Sequence, residues 1–167
     1  MQKVMEMLET SRKEFHAATE GVGESQARVR PEAGRWSVLE CVEHVTLVEG
    51  MFLGWLESAG QNASPPDPQR EAELAATVAS RATPAQAPEP VQPTGRFGTL
   101  AEALKQFDAA RARTVRFAEE RAADLYSLAT EHPRRGRMNG VELLTVTSAH
   151  TLRHTAQIRE VRKTVGV

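Results

Sequence analysis

The sequence predicts an all-α fold, a four-helix bundle with one long crossover between its second and third helices, and three observations carry that expectation. Apolar residues recur every three or four positions over long stretches, the periodicity of a helix that buries one face. No stretch alternates apolar and polar residues with β-branched enrichment between glycine-rich turns, so strands are not expected. Seven of the nine prolines fall between residues 60 and 95, where no long helix can pass.

The first helix is expected over residues 2–20, because Val4, Met5, Leu8, Phe15 and Ala18 lie near one stripe and Gly21-Val22-Gly23 ends it. A connection holding Pro31 and Gly34 follows. Ser37-Val38-Leu39-Glu40 then forms a capping box, in which the hydroxyl and the carboxylate each satisfy an otherwise unpaired backbone donor, and opens a second helix to about Ala59. Asp67 and Pro68 announce a short helix over residues 68–81, and the Ala/Pro-rich tract 82–93 reads as a mobile surface linker. So long a connection between two long helices sets them parallel rather than antiparallel. Thr99-Leu100-Ala101-Glu102 opens the third helix, expected to reach Leu128, and Asn139-Gly140-Val141-Glu142 opens the fourth, expected to reach Lys163.

At 167 residues and 40% hydrophobic content, the chain suits one globular domain spanning residues 1–167. No run of about 18 apolar residues could cross a bilayer, and the start is amphipathic and charged rather than a signal peptide, so no membrane association and a cytoplasmic location are expected. The single cysteine, Cys41, excludes an internal disulfide and a cysteine-rich zinc site, and reads as a small buried filler.

A net charge of −1 argues against a nucleic-acid-binding surface, and the basic Arg134-Arg135-Gly136-Arg137 cluster reads as a solvated turn. Residues 1–95 carry 8 basic against 14 acidic side chains, and residues 96–167 carry 13 against 8. Mutual attraction between helices is the simple consequence; a basic pocket for an anionic substrate is the other reading.

Three histidines form the one constellation suited to chemistry. On the fourth helix the row 143, 146, 147, 150, 154, 157, 158, 161, 165 reads Leu, Val, Thr, His, His, Gln, Ile, Val, Val, and on the second the row 41, 44, 45, 48, 51, 52, 55 reads Cys, His, Val, Val, Met, Phe, Trp. His44, His150 and His154 therefore all point inward. Each buried polar group without a partner costs roughly 1–3 kcal/mol, against a typical total stability of about 5–15 kcal/mol. A shared divalent ion removes the difficulty, because neutral imidazole binds a metal through one nitrogen and can donate a hydrogen bond through the other. Histidines four apart on a helix lie one above the other, as such sharing needs. His16, without a nearby partner, and His132, before Pro133, are expected to be solvated. The pair is not the His-Glu-x-x-His of zinc proteases, since Thr151 stands where that motif has its base. Glu40 is accounted for by its capping box, and Gln157 is a candidate pocket residue.

Trp36-Ser37-x-x-Glu40-x-x-x-His44, followed by Asn139-Gly140 and then His150-x-x-x-His154-x-x-Gln157-Ile158, resembles the DinB/YfiT-like superfamily of bacterial metal-binding four-helix bundles over nearly the whole chain. The resemblance implies a divalent metal, zinc or nickel, held by His44, His150 and His154, with water or substrate completing the coordination. It also implies a reaction on a small molecule, either a thiol S-transfer that uses a bacterial thiol such as bacillithiol or mycothiol, or a hydrolysis. A non-catalytic metal-binding or stress-response bundle is the alternative, and a homodimer is expected from the resemblance alone.

Overall fold

The computed structural model describes residues 2–61, 65–83 and 86–166. Pro84 and Ala85 of the Ala/Pro-rich tract lie outside them. Four long helices, α1 (Gln2–Thr19), α3 (Val38–Glu57), α5 (Leu100–Glu120) and α6 (Gly140–Val165), are joined by the shorter α2 (Glu24–Ala27) and α4 (Pro68–Ala79), by a 3-10 turn at Glu89–Val91, and by an antiparallel hairpin of β1 (Ala129–His132) and β2 (Gly136–Asn139).

The capping residues act as their chemistry predicts. Ser37 Oγ accepts from the Glu40 amide at 3.3 Å while Glu40 Oε2 accepts from the Ser37 amide at 2.8 Å. Asp67, Thr99 and Asn139 accept from the amides three residues on, at 3.0, 3.0 and 2.9 Å. Each supplies an acceptor to a helix-end amide that has none within the helix.

Two apolar clusters fill the bundle and fix its directions. At one end Val4 and Leu8 of α1 pack with Phe52 and Leu56 of α3, Ala118 of α5 and Leu143 of α6. At the other, Phe15 and Ala18 of α1 meet Val38 and Val42 of α3, Phe107 of α5 and Ile158 of α6. Thus α1 and α6 run one way and α3 and α5 the other, so the crossover joins two parallel helices, as its length requires. Along it, α4 lies against α6, with Leu74 and Val78 buried.

Between the clusters stands one charged tie. Arg111, 1% exposed, reaches Glu49 of α3 through Nε and Nη2 at 2.6 and 2.8 Å, the Leu8 carbonyl and Ser11 Oγ of α1 through Nη1, and Thr151 Oγ1 of α6 at 3.0 Å. All five guanidinium protons are used, and all four long helices are engaged. The two halves also meet in surface ion pairs, Glu14 with Arg159 following the charge imbalance and Arg81 with Glu160 running against it.

Four expectations are corrected. The third helix stops at Glu120 rather than Leu128: residues 121–127 continue as turns, while Leu125 and Leu128 remain buried, so the apolar spacing persists after the backbone has left the helix. Strands do occur. Each is only four residues long, too short to show alternation, and the hairpin is set by the turn at Gly136, whose φ of 69° suits glycine, and by burial of Thr130 and Met138 as a register pair. The tract 82–93 is not wholly a surface linker, since Val91 is buried in the core. His16 is not merely solvated: its Nε2 lies 2.8 Å from Asp108 Oδ1, which Arg12 also engages.

Gly140 opens α6 in close contact with the preceding segment. Its amide donates to the Leu125 carbonyl at 2.8 Å, and a Cβ there would stand 2.7 Å from that oxygen. Gly140→Ala is therefore expected to cost about 1–3 kcal/mol in urea unfolding, whereas Gly50→Ala should be neutral or stabilising by up to about 1 kcal/mol. Gly50 lies within α3 with open space around its missing Cβ.

Candidate metal centre

Helix α3 brings His44 inward one turn after its capping box, and α6 brings His150 and His154 to the same point on successive turns. His44 Nδ1 lies 2.7 Å from the Val91 carbonyl, which can only accept, so Nδ1 carries the proton and Nε2 of the neutral ring presents a lone pair. That Nε2 stands 3.2 Å from Nε2 of His150. One donor nitrogen from each of the three rings lies within 4.8 Å of the others. The ring centroids are 4.5–5.0 Å apart, and Trp36 packs against His44 at 4.7 Å.

Burial, above all, holds the pKa of His150 and His154 well below the ordinary imidazole range, and the neighbouring imidazoles and Arg153 push the same way. His44 is lowered by burial too, partly offset by its bond to Val91. The rings are thus neutral at pH 7 and able to donate lone pairs.

Hydrogen bonding accounts for these residues only in part: Nδ1 of His154 is buried with no hydrogen-bond partner, and Gln157 beside the ring only partly offsets the lowering of its pKa. Such an orphan costs about 1–3 kcal/mol. The donor set fits a divalent ion instead: nitrogens bound at about 2.0–2.1 Å in a tetrahedron stand about 3.3 Å apart, close to the His44–His150 separation. Cys41 is no competitor as a ligand, for it is fully buried and burial pushes its thiol pKa up.

The histidines open onto a cavity of about 360 Å³. One wall is apolar, with Val48, Met51, Phe52, Trp55 and Val146, and the rim carries His132, Arg134, Arg135 and Arg153. No Asp or Glu lines it among the described residues. On the far side of Trp36 and Ala87 a second cavity, more polar, reaches His154 from beside Arg81 and Gln157, so Gln157 is a pocket residue as expected. Its Oε1 accepts from Arg81 at 3.1 Å.

Glu40 lines neither cavity. Burial works to raise its pKa, but Arg30 and Ser37 outweigh that and lower it. His132, expected to be solvated, is instead half-buried at the rim against Trp55 and Phe52, with centroids 5.6 and 5.9 Å away. Burial, then Arg135 and Arg134, lower its pKa. Val91 and Glu43 escape a reading of helix faces altogether. The Glu43 carboxylate, 1% exposed, accepts from the amides of Thr94 and Gly95 at 2.8 and 3.1 Å, so Glu43 and His44 together lash the crossover to α3.

A helical bundle with two parallel central helices and three inward histidines at the base of a pocket defines the class. The family profile of the DinB superfamily matches residues 7–158, and the chain belongs to that superfamily. Among solved structures it is similar to YfiT from Bacillus subtilis, described as a probable metal-dependent hydrolase with an unusual four-helix bundle topology. The identity is 16% over 99% of this chain and 87% of that one, with a TM-score of 0.61. It is also similar to TT2238, described as a four-helix bundle protein, at 21% identity over 97% of each chain and a TM-score of 0.55. At these identities the likeness is one of fold. No curated protein sequence matches the chain.

Proposed function

We propose that His44, His150 and His154 hold one divalent metal ion, zinc or nickel, and that the protein is a metal-dependent enzyme transferring a low-molecular-weight thiol to a small electrophile. The observation that carries this reading is the three-nitrogen set, with its orphaned His154 nitrogen, opening onto a cavity of small-molecule size. The description of YfiT as metal-dependent agrees with it. Such an ion supplies Lewis acidity, which lowers the pKa of a sulfur or oxygen nucleophile. The Val91 carbonyl holds His44 in the tautomer that leaves Nε2 free, and burial keeps all three rings neutral. Phe52, Trp55 and Met51 exclude water around the reacting groups.

Thiol transfer is preferred to hydrolysis because among the described residues no carboxylate lines the cavity to orient and deprotonate an attacking water, whereas a thiol made more acidic by the ion is itself the nucleophile. Hydrolysis is the second reading, and His132 favours it. That ring sits at the rim with a lowered pKa, neutral at pH 7; its Nδ1 accepts from the Arg134 amide at 3.1 Å, so Nε2 carries the proton and can donate to a departing or developing oxyanion.

Zinc- or nickel-loaded protein, offered monochlorobimane with bacillithiol or mycothiol, should conjugate them faster than the uncatalysed rate. His154→Ala should abolish this, and His132→Gln should leave it within about twofold. Thiol-independent cleavage of p-nitrophenyl acetate that is lost in His132→Gln would establish the hydrolytic reading instead.

A further inference from the structure

Among the described residues eight of the seventeen arginines, Arg12, Arg30, Arg70, Arg81, Arg111, Arg121, Arg137 and Arg159, have a carboxylate within ion-pair distance. The three at the histidine-floored cavity do not: among the described residues Arg134, Arg135 and Arg153 have no carboxylate within ion-pair distance. Arg153 is held by the carbonyls of Ser80 and Thr83, Arg134 by that of Gln86, and Arg135 reaches only Thr77 Oγ1, at 3.4 Å. These contacts orient the guanidinium groups without neutralising them.

Two of them, Arg135 and Arg153, are half-buried, so their charge is partly stripped of water. Arg135 has no carboxylate acting on it, and Arg153 has only the more distant Glu160, which is itself paired with Arg81. With the exposed Arg134 they line one cavity, from the hairpin turn and from α6, which is also lined by the apolar Phe52, Trp55 and Val48. A stability argument offers no reason for the arrangement. Like charges gathered at a low-dielectric rim repel, as the depression of the Arg135 pKa by burial and by Arg134 shows.

We infer that this cavity selects a small anionic molecule with an aromatic or aliphatic body, seating its carboxylate- or sulfonate-class group on Arg135 and Arg153 and its apolar part against Phe52 and Trp55. This deepens the proposed function by naming the substrate class of the same site. Guanidinium groups suit the task, because they bind oxyanions in paired hydrogen bonds and stay charged at any working pH. The hairpin and α6 thereby set the position of the anion relative to the histidines.

The test compares 2-naphthalenesulfonate with the uncharged 2-(methylsulfonyl)naphthalene by titration calorimetry, on chelator-treated and on zinc-loaded full-length protein. The anion should bind about tenfold or more tighter than its neutral analogue in both forms, and the preference should shrink to about twofold in Arg135→Gln and Arg153→Gln. Arg135→Gln sits on the surface hairpin and should keep wild-type zinc stoichiometry, which checks its fold. Equal affinity for the two probes, or a preference that both variants retain, overturns the inference. A preference seen in protein that binds no zinc upholds the anion site while removing the metal reading, and zinc binding without preference does the reverse.

Discussion

Arg111→Ala is expected to destabilise the protein by about 3–5 kcal/mol, measured as a fall in the urea midpoint at pH 7. Arg111 and Glu49 are 1% and 2% exposed, so removing the guanidinium leaves a carboxylate buried without its counter-charge. The Leu8 carbonyl, Ser11 Oγ and Thr151 Oγ1 lose a partner at the same time. The loss is large against a typical total of about 5–15 kcal/mol. A buried ion pair is seldom worth more than well-packed apolar side chains, so Arg111→Met combined with Glu49→Leu should recover most of it. A double variant no more stable than Arg111→Ala would show that the cost lies in packing rather than in the stranded charge. The tie also bears on the site: Thr151 adjoins His150, so the guanidinium fixes the register in which α6 presents its histidines.

Zinc should raise the melting temperature of the wild-type protein by about 5–10 °C at 100 times its dissociation constant, the shift that corresponds to about 2.7 kcal/mol of ligand-linked stability. His150→Ala should abolish the shift and weaken zinc binding by about 100-fold or more while the bundle stays folded, because His150 lines the cavity and its removal enlarges an existing space instead of opening a sealed void. His16→Ala should keep the full shift, since His16 pairs with Asp108 on α1 and α5, away from the cavity. An equal zinc response in all three proteins would place the binding elsewhere.

The sequence made α3, α4, α5 and α6 legible because each begins with a side chain whose chemistry is local. Ser37, Asp67, Thr99 and Asn139 accept from amides three residues on, and nothing distant is needed to read them. His44, His150 and His154 were legible for a related reason: each falls in an apolar helical row where an imidazole is out of place. Glu49 and Arg111 broke their own rows in the same way, yet their partnership spans 62 positions and is settled only by packing. The hairpin escaped notice because four-residue strands leave no periodic trace, and with it went the place of His132 and Arg135 at the cavity rim. Val91 stayed hidden because its contribution is a backbone carbonyl, which no side-chain pattern reveals.

X-ray absorption at the zinc edge, on zinc-loaded protein purified without a histidine tag, reads whether α3 and α6 share one divalent ion. One ion per chain is expected, with three imidazole nitrogens at about 2.0–2.1 Å and a shell that loses an imidazole in His44→Ala. A shell with fewer than three imidazoles, or one unchanged in His44→Ala, would contradict it.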